Sequence, residues 1–262
     1  MKLKHLFQKY LIAKGVYSSE VTSNNDLSRF CKMMRPIAQE KQLIRIGANA
    51  DGGYLVPDDV DDLGACFSPG VEQTSSFESA LASKGVKSYM ADYSVESAPS
   101  NNSLFNFEKK YLGDINNDKY IRLEDWVSDK YKESDKDLML QMDIEGGEFP
   151  VILDTPVETL RKFRIMVIEF HHMKMVFSKH TFSLVNHVFT KILRDFTVVH
   201  IHPNNCSPKI SNDVVEVPDV FEITFYRKDR ANNVDSVLEF PHALDFPNAP
   251  DKEDIILPKC CR

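Results

Sequence analysis

Two hydrophobic rhythms alternate along this chain. One is the short, nearly continuous apolar run of a strand buried on both faces, seen in DLMLQMDI (137–144) and FRIMVIEFHH (163–172). The other is helical spacing, clearest in FSLVNHVFTKILRD, where Phe182, Leu184, Val185, Val188, Phe189, Ile192 and Leu193 form one stripe. From the N-terminus, residues 1–42 read as a helical extension, with Ser28 to Gln39 its clearest piece. Asp51-Gly52-Gly53 is a turn signal before a short strand, Tyr54-Leu55-Val56. GACFSPGVEQ is an apolar run broken by Pro69-Gly70. TSSFESALASKG predicts a helix with Thr74 as N-cap, Glu78 near its first turn and Gly85 as its stop. VKSYMADYS predicts a strand. Asn101 to Asn117 reads as an irregular connection with a short helix around FNFEKKYLG. YIRLEDWV predicts a strand entering a helix, and EFPVILDTP a helix stopped before Pro156. FTVVHIHP and VFEITFYRK are two late strands with no helix between them, which predicts an antiparallel hairpin at the sheet edge. The alternation implies an α/β, Rossmann-like, mostly parallel sheet with helices on both faces. The domain spans 43–230, with a polar, Pro-rich tail at 231–262.

Composition narrows the partners. The chain has 262 residues, 42% hydrophobic and 27% charged, with net charge −7 and no basic block, so nucleic acid is not an expected partner. MKLKHLFQKYLIAKG is basic and mildly amphipathic, without the apolar run of a signal peptide. It is read as a surface or packing helix, and no stable membrane anchor is expected. The five cysteines (Cys31, Cys66, Cys206, Cys260, Cys261) show no CxxC pair. With two N-x-S sequons (Asn101, Asn205) read as chance, this predicts a reduced, cytoplasmic protein.

Chemistry gathers at the strand ends, where ligands bind in open parallel sheets. Gly70 follows the first core strand, and Asp92 falls 22 residues later (92 − 70) at the end of the second. That spacing suits a carboxylate holding ribose hydroxyls; an ordinary turn and a capping aspartate are the alternatives. Asp143-Ile144-Glu145-Gly146-Gly147-Glu148 packs three carboxylates into six residues. One of them can favour a helix N-terminus; three are more than capping needs. Glu169-Phe170-His171-His172 ends the next strand. Parallel neighbours bring such ends together, so Asp143, His171 and His172 can hold a divalent metal or supply a base. Arg45 can pair with a ligand carboxylate or lie solvated, and His202 or Asn204 can reach a substrate or form a plain turn.

These same segments carry a resemblance. FSPGVEQTSSFESALASKG with MADYS, then LEDWV, LMLQMDIEGGEFPVI and IMVIEFHHM, resembles the FkbM-type family of S-adenosylmethionine-dependent methyltransferases, over about Arg45 to Arg227. The resemblance implies the class I methyltransferase fold, with seven strands and a reversed final hairpin. It implies that Ser68, Pro69, Gly70 and Glu72 form the cofactor loop and that Asp92 holds the ribose. Ile121 to Trp126, with Glu124 and Asp125, would flank the adenine, and Asp143 and Glu145 would face the reaction centre. The first loop is glycine-poor for the family, with Pro69 beside the single Gly70. The implied activity is O-methylation of a sugar or other small hydroxyl compound, or a glycan, assisted by His171 or His172 as base, or by Mg²⁺ or Mn²⁺. A nicotinamide oxidoreductase would want a fuller GxGxxG. A metal-dependent glycosyltransferase or hydrolase, and a catalytically inactive binding module, stay open.

Overall fold

The computed structural model describes residues 2–132 and 135–262, with side chains from His5 onward. Seven strands form its central sheet: β1 (Ala65–Pro69), β2 (Ser88–Ala91), β3 (Phe105–Glu108), β4 (Leu138–Met142), β5 (Phe163–Phe170), β6 (Phe196–Pro203) and β7 (Phe221–Arg227). Their lateral order is β6-β7-β5-β4-β1-β2-β3. Only β7 runs antiparallel to its neighbours, β5 and β6. The parallel strands need crossovers, and helices supply most of them: α3 (Ser76–Ser83), α4 (Leu123–Lys130), α5 (Glu148–Asp154), α6 (Val157–Leu160) and α7 (Lys179–Asp195). They are numbered after the N-terminal α1 (Lys2–Ala13) and α2 (Asn24–Met33).

Side chains of β4 alternate between two cores, as a sheet covered on both faces requires. Leu138, Leu140 and Met142 join the larger core, with α2, α4, α5 and α7; Met139 joins the smaller one, with α3. The smaller core is closed by an antiparallel hairpin, Leu43–Gly47 with Gly53–Pro57. Two side-chain bonds tie that hairpin down. Thr224 Oγ1 of β7 donates to the Leu55 carbonyl (2.6 Å), and Ser76 Oγ at the start of α3 donates to the Gly52 carbonyl (3.1 Å).

Several predicted elements change. Residues 34–39 are not helical: α2 ends at Met33, because Arg35 precedes Pro36 and a residue before proline is pushed out of the helical region. The predicted short helix in 101–117 is instead β3, followed by Tyr111–Gly113, which pairs in parallel with Tyr120–Arg122. Phe105 and Phe107 alternate with Asn106 and Glu108, the period of a half-exposed edge strand. The helix predicted from Thr74 starts at Ser76, with Ser75 in the capping position and no side-chain bond there. Residues 231–262 carry little regular structure, yet Asn248, Leu257 and Cys261 are buried against the domain.

The strand ends opposite the glycine turns are locked by ions. Asp59 accepts from Arg230 Nη2 (2.8 Å) and from the Tyr226 hydroxyl (2.6 Å), with Arg164 Nη1 at 3.5 Å. Asp137 accepts from Arg164 Nε (3.1 Å) and Arg227 Nη1 (2.6 Å). Burial alone would lift the Asp59 pKa, but its bonds to Arg230 and Tyr226 and the Arg164 charge outweigh that and hold it below the usual range.

Candidate functional site

A cleft of about 500 Å³ opens at the carboxyl ends of β1, β2 and β4. Gly70 forms its floor with φ +83°, and a Cβ there would lie 1.5 Å from the Asp143 carbonyl oxygen. Only glycine permits both the left-handed turn and this close approach of two backbones. Asp92 faces the cleft with its carboxylate already oriented. Oδ1 accepts from the Ser94 amide and hydroxyl (2.7 Å each), and Oδ2 from the Glu72 amide (2.9 Å). A carboxylate has about four acceptor sites, so roughly one stays open to a ligand hydroxyl. The side wall is aromatic: Tyr111 and Tyr120 line the cleft with ring centroids 5.6 Å apart, and Leu112, next to Tyr111 in the same strand, lines it too.

The cleft passes into a small polar recess lined by Asp51, Tyr54, Glu78 and Gln141, and the two share Gly70, Glu72 and Asp143. Strand register explains the charge around this recess. Glu169 of β5 is directly opposite Glu222 of β7, which is directly opposite His202 of β6. Asp143 follows Met142, whose β5 partner is Ile168, so it falls beside Glu169. An ionisable row therefore crosses four strands at the rim. Asn204 donates to Glu169 Oε1 (2.9 Å), and Asn248 donates to Glu222 Oε1. Burial and the Glu222 charge drive Glu169 well above its usual pKa. Burial and the Glu169 charge push Asp143 up to about 9.

His171 sits inside this ring of acids. Its Nδ1 is 3.1 Å from Glu148 Oε1. Its Nε2 is 3.3 Å from Glu145 Oε2, 3.8 Å from Glu169 Oε1 and 3.9 Å from Asp143 Oδ1. Burial disfavours a charged imidazole, but the bond to Glu148 and the flanking carboxylates win and raise its pKa. Glu148 is wholly buried at the start of α5 and also accepts from the amides of Ile144 (3.3 Å) and Gly146 (3.0 Å). It thus organises the loop and aims the imidazole. Glu145 adopts a left-handed conformation (φ 56°) that a side chain rarely takes, with its carboxylate 75% exposed on the rim.

The predicted site residues divide accordingly. Gly70, Glu72, Asp92, Asp143 and Glu145 line the cleft, and His171 stands beside it. Ser68 does not: it is fully buried in β1, bonded to Glu78 and to Gln141 Oε1 (2.6 Å) in the smaller core. Pro69 ends β1 and lies behind Gly70, its carbonyl accepting from the Asp143 amide (3.4 Å). Glu124 and Asp125 are drawn away from the cleft by Arg122 (3.3 and 3.2 Å), which also binds Asp154 (2.8 Å). His172 lies edge-on to His171, ring centroids 6.4 Å apart, but outside the acid cluster; it is exposed, in a left-handed conformation, its ring packed over Gly146. Arg45 is occupied by the carbonyls of Ala48 (2.6 Å), Ala50 (3.0 Å) and Leu244 (3.3 Å). His202 is enclosed between Glu222 (3.2 Å) and Asp254 (3.4 Å). Burial opposes its charge, but these two acids push its pKa up to about 10. Sequence reading missed Glu169 as a member of the cluster, the aiming role of Glu148, and the tyrosine wall. Glu169 was detectable as a lone acid inside an apolar strand; the other two depend on tertiary contacts.

Asp143 Oδ1 and Glu169 Oε2 are buried without a hydrogen-bond partner, and with His171 they offer three ligand atoms within 4.8 Å of one another. A carboxylate behind the imidazole is the arrangement that fixes a metal-binding histidine with its other nitrogen outward. These groups fit a divalent cation better than the predicted set with His172.

A seven-stranded sheet with this strand order, its one reversed strand lying between β5 and β6, is the class I, Rossmann-like methyltransferase fold. The methyltransferase FkbM domain matches residues 31–196, and the chain belongs to that family. A search of curated proteins gave no significant match. Among solved structures, the chain is similar to a Pyrococcus horikoshii protein described as a "putative RNA methyltransferase". The two are 9% identical, with 79% of this chain and 96% of that one covered, at a TM-score of 0.30.

Proposed function

We propose that this protein transfers the methyl group of S-adenosylmethionine to a hydroxyl oxygen of a sugar, glycan or other small molecule, with a divalent cation held by Asp143, Glu169 and His171. One observation carries the reading: Asp143 belongs both to the adenosyl-sized cleft and to the buried acid–imidazole cluster. When bound, the cofactor supplies an electrophilic methyl on a sulfonium, and Mg²⁺ or Mn²⁺ supplies Lewis acidity that makes an alcohol a better nucleophile. The protein does the rest. Gly70 and Asp92 seat the nucleoside, and Tyr111 and Tyr120 offer flat faces for the base. Glu148 keeps His171 oriented, and the acceptor approaches from the side of Glu169 and Tyr54. The acceptor hydroxyl gives its proton to water at the rim beside the exposed Glu145 as the C–O bond forms and the C–S bond breaks, leaving S-adenosylhomocysteine.

A second reading is favoured by the bond between Glu148 and His171 Nδ1. That bond holds Nδ1 and turns Nε2 toward the rim, where His171, once its raised pKa is passed and the imidazole is neutral, can itself take the acceptor proton. Dialysis against strong chelator separates the two: lost turnover, restored by Mg²⁺ or Mn²⁺, supports the cation, and full activity in chelator leaves His171 as base. Family membership favours methyl transfer over glycosyl transfer or hydrolysis. Calorimetry with S-adenosylhomocysteine tests the core of the proposal. Saturable binding that is lost in Asp92→Ala is expected; no binding to the wild type would leave an inactive module.

A further inference from the structure

Outside the cleft and its recess, three cysteines converge from distant parts of the chain. Cys31 lies in the last turn of α2, and Cys260 and Cys261 in a short turn, Lys259–Cys261, that packs on that helix. Their three sulfurs all lie within 4.8 Å of one another, with Cys260 and Cys261 3.7 Å apart. No disulfide joins them. At a Zn–S bond of about 2.3 Å, sulfurs on a tetrahedron are spaced about 3.8 Å apart; the Cys260–Cys261 pair stands at 3.7 Å, and Cys31 is close enough to complete the set with a small adjustment. Cys31 and Cys261 are buried at 1% and 0% exposure, and Cys260 is half-buried, giving a closed site with one accessible side. The Arg35 guanidinium donates to the Cys260 carbonyl (3.4 Å), holding the turn against the end of α2 and placing a cation beside the thiols.

We infer that Cys31, Cys260 and Cys261 form a thiolate site for a thiophilic divalent metal ion, with Zn²⁺ as the natural probe, which clips the C-terminal segment to α2. Each thiol releases its proton on binding, so affinity falls with falling pH. A water or another ligand completes a zinc tetrahedron on the accessible side. The site closes a loop of more than two hundred residues, the kind of constraint that stabilises most by restricting the unfolded chain. It shares no residue with the acidic cluster and stands whether or not the methyl-transfer reading holds.

The test uses the full chain carrying Asp143→Asn and Glu169→Gln, so that the acidic cluster cannot hold the metal. After dialysis with one equivalent of Zn²⁺, metal analysis should find about one zinc per chain. Titration with Cd²⁺ should give a thiolate-to-metal ultraviolet band, and the half-exposed Cys260 should lose its reactivity to a thiol reagent. The melting temperature should rise by several degrees. Cys260→Ser, at the half-exposed position, should weaken zinc at least tenfold while the apo melting temperature stays near that of the parent; Cys66→Ala serves as control and keeps the band. The inference is overturned if the parent binds no zinc, if the Cd²⁺ band survives both Cys260→Ser and Cys31→Ser, or if the cysteines are found as a disulfide that excludes metal.

Discussion

Gly70 and His171 set the site by different means, one through absence of a side chain and the other through support. A Cβ at Gly70 collides with backbone rather than with a movable side chain. Gly70→Ala is therefore expected to destabilise the fold by more than about 1 kcal/mol, the penalty exceeding ordinary backbone-entropy gains. It should also weaken S-adenosylhomocysteine binding, read by calorimetry. His171→Ala should lower turnover about 100-fold, within the range for a lost proton-transfer group. His172→Ala, at an exposed position away from the cluster, should change it by about twofold at most. Equal losses in a single-turnover assay would undo the distinction drawn between the two histidines. Tyr120→Ala should raise the S-adenosylhomocysteine Kd about tenfold, since stacking on a base contributes about 1–3 kcal/mol. At this scale the sequence revealed positions better than roles. Gly70, Asp92 and Asp143 stood at strand ends with recognisable spacing. The outward turn of His172 rests on one left-handed residue, and the loss of Glu124 and Asp125 to Arg122 on ion pairs that no periodicity announces.

Elements with strong periodicity were legible, and those at edges were not. β4, β5, β6, β7 and α7 announce themselves because both faces, or one full stripe, are apolar. β3 was hidden because an edge strand buries only part of itself, and its FNFE alternation is too short to beat a turn-rich context. The ion-locked strand ends were equally invisible, since Asp59, Asp137, Arg164 and Arg230 are scattered along the chain and meet only through sheet register. They have a measurable consequence. Asp59→Ala should cost about 3–5 kcal/mol in urea unfolding, because Arg164 is left buried with less compensation. The pH sign follows from the depressed Asp59 pKa. Its stabilisation is complete above the unfolded aspartate value of about 3.9 and disappears as pH falls through the lower folded value. The variant should lose that part of the acid sensitivity, seen as a flatter melting-temperature profile below about pH 4.

As a whole, the molecule divides its tasks between the two ends of its strands: an ion-paired end that holds β5 and β7 together, and an opposite end where the acids are left under-satisfied. Such uncompensated burial works against stability. Asp143→Asn, which removes a buried acid whose pKa is raised to about 9, should lower turnover while leaving the melting temperature unchanged or higher at neutral pH. A fall in melting temperature would show the carboxylate to be structural. The segment 231–262 takes part in this arrangement, since Asp254 and Asn248 cover His202 and Glu222. No helix among the described residues is long and apolar enough to cross a membrane.

The place of β7 between β5 and β6 bears on how the protein is made. β7 is the last strand to leave the ribosome, yet it belongs inside the sheet rather than at its margin. Until Phe221–Arg227 emerges, the nascent chain carries two apolar strands, Phe163–Phe170 and Phe196–Pro203, each with an open hydrogen-bonding side. Such sides invite pairing with other chains. Synthesis stalled before Phe221 should yield chaperone-bound or insoluble product, and release of the full chain should restore solubility.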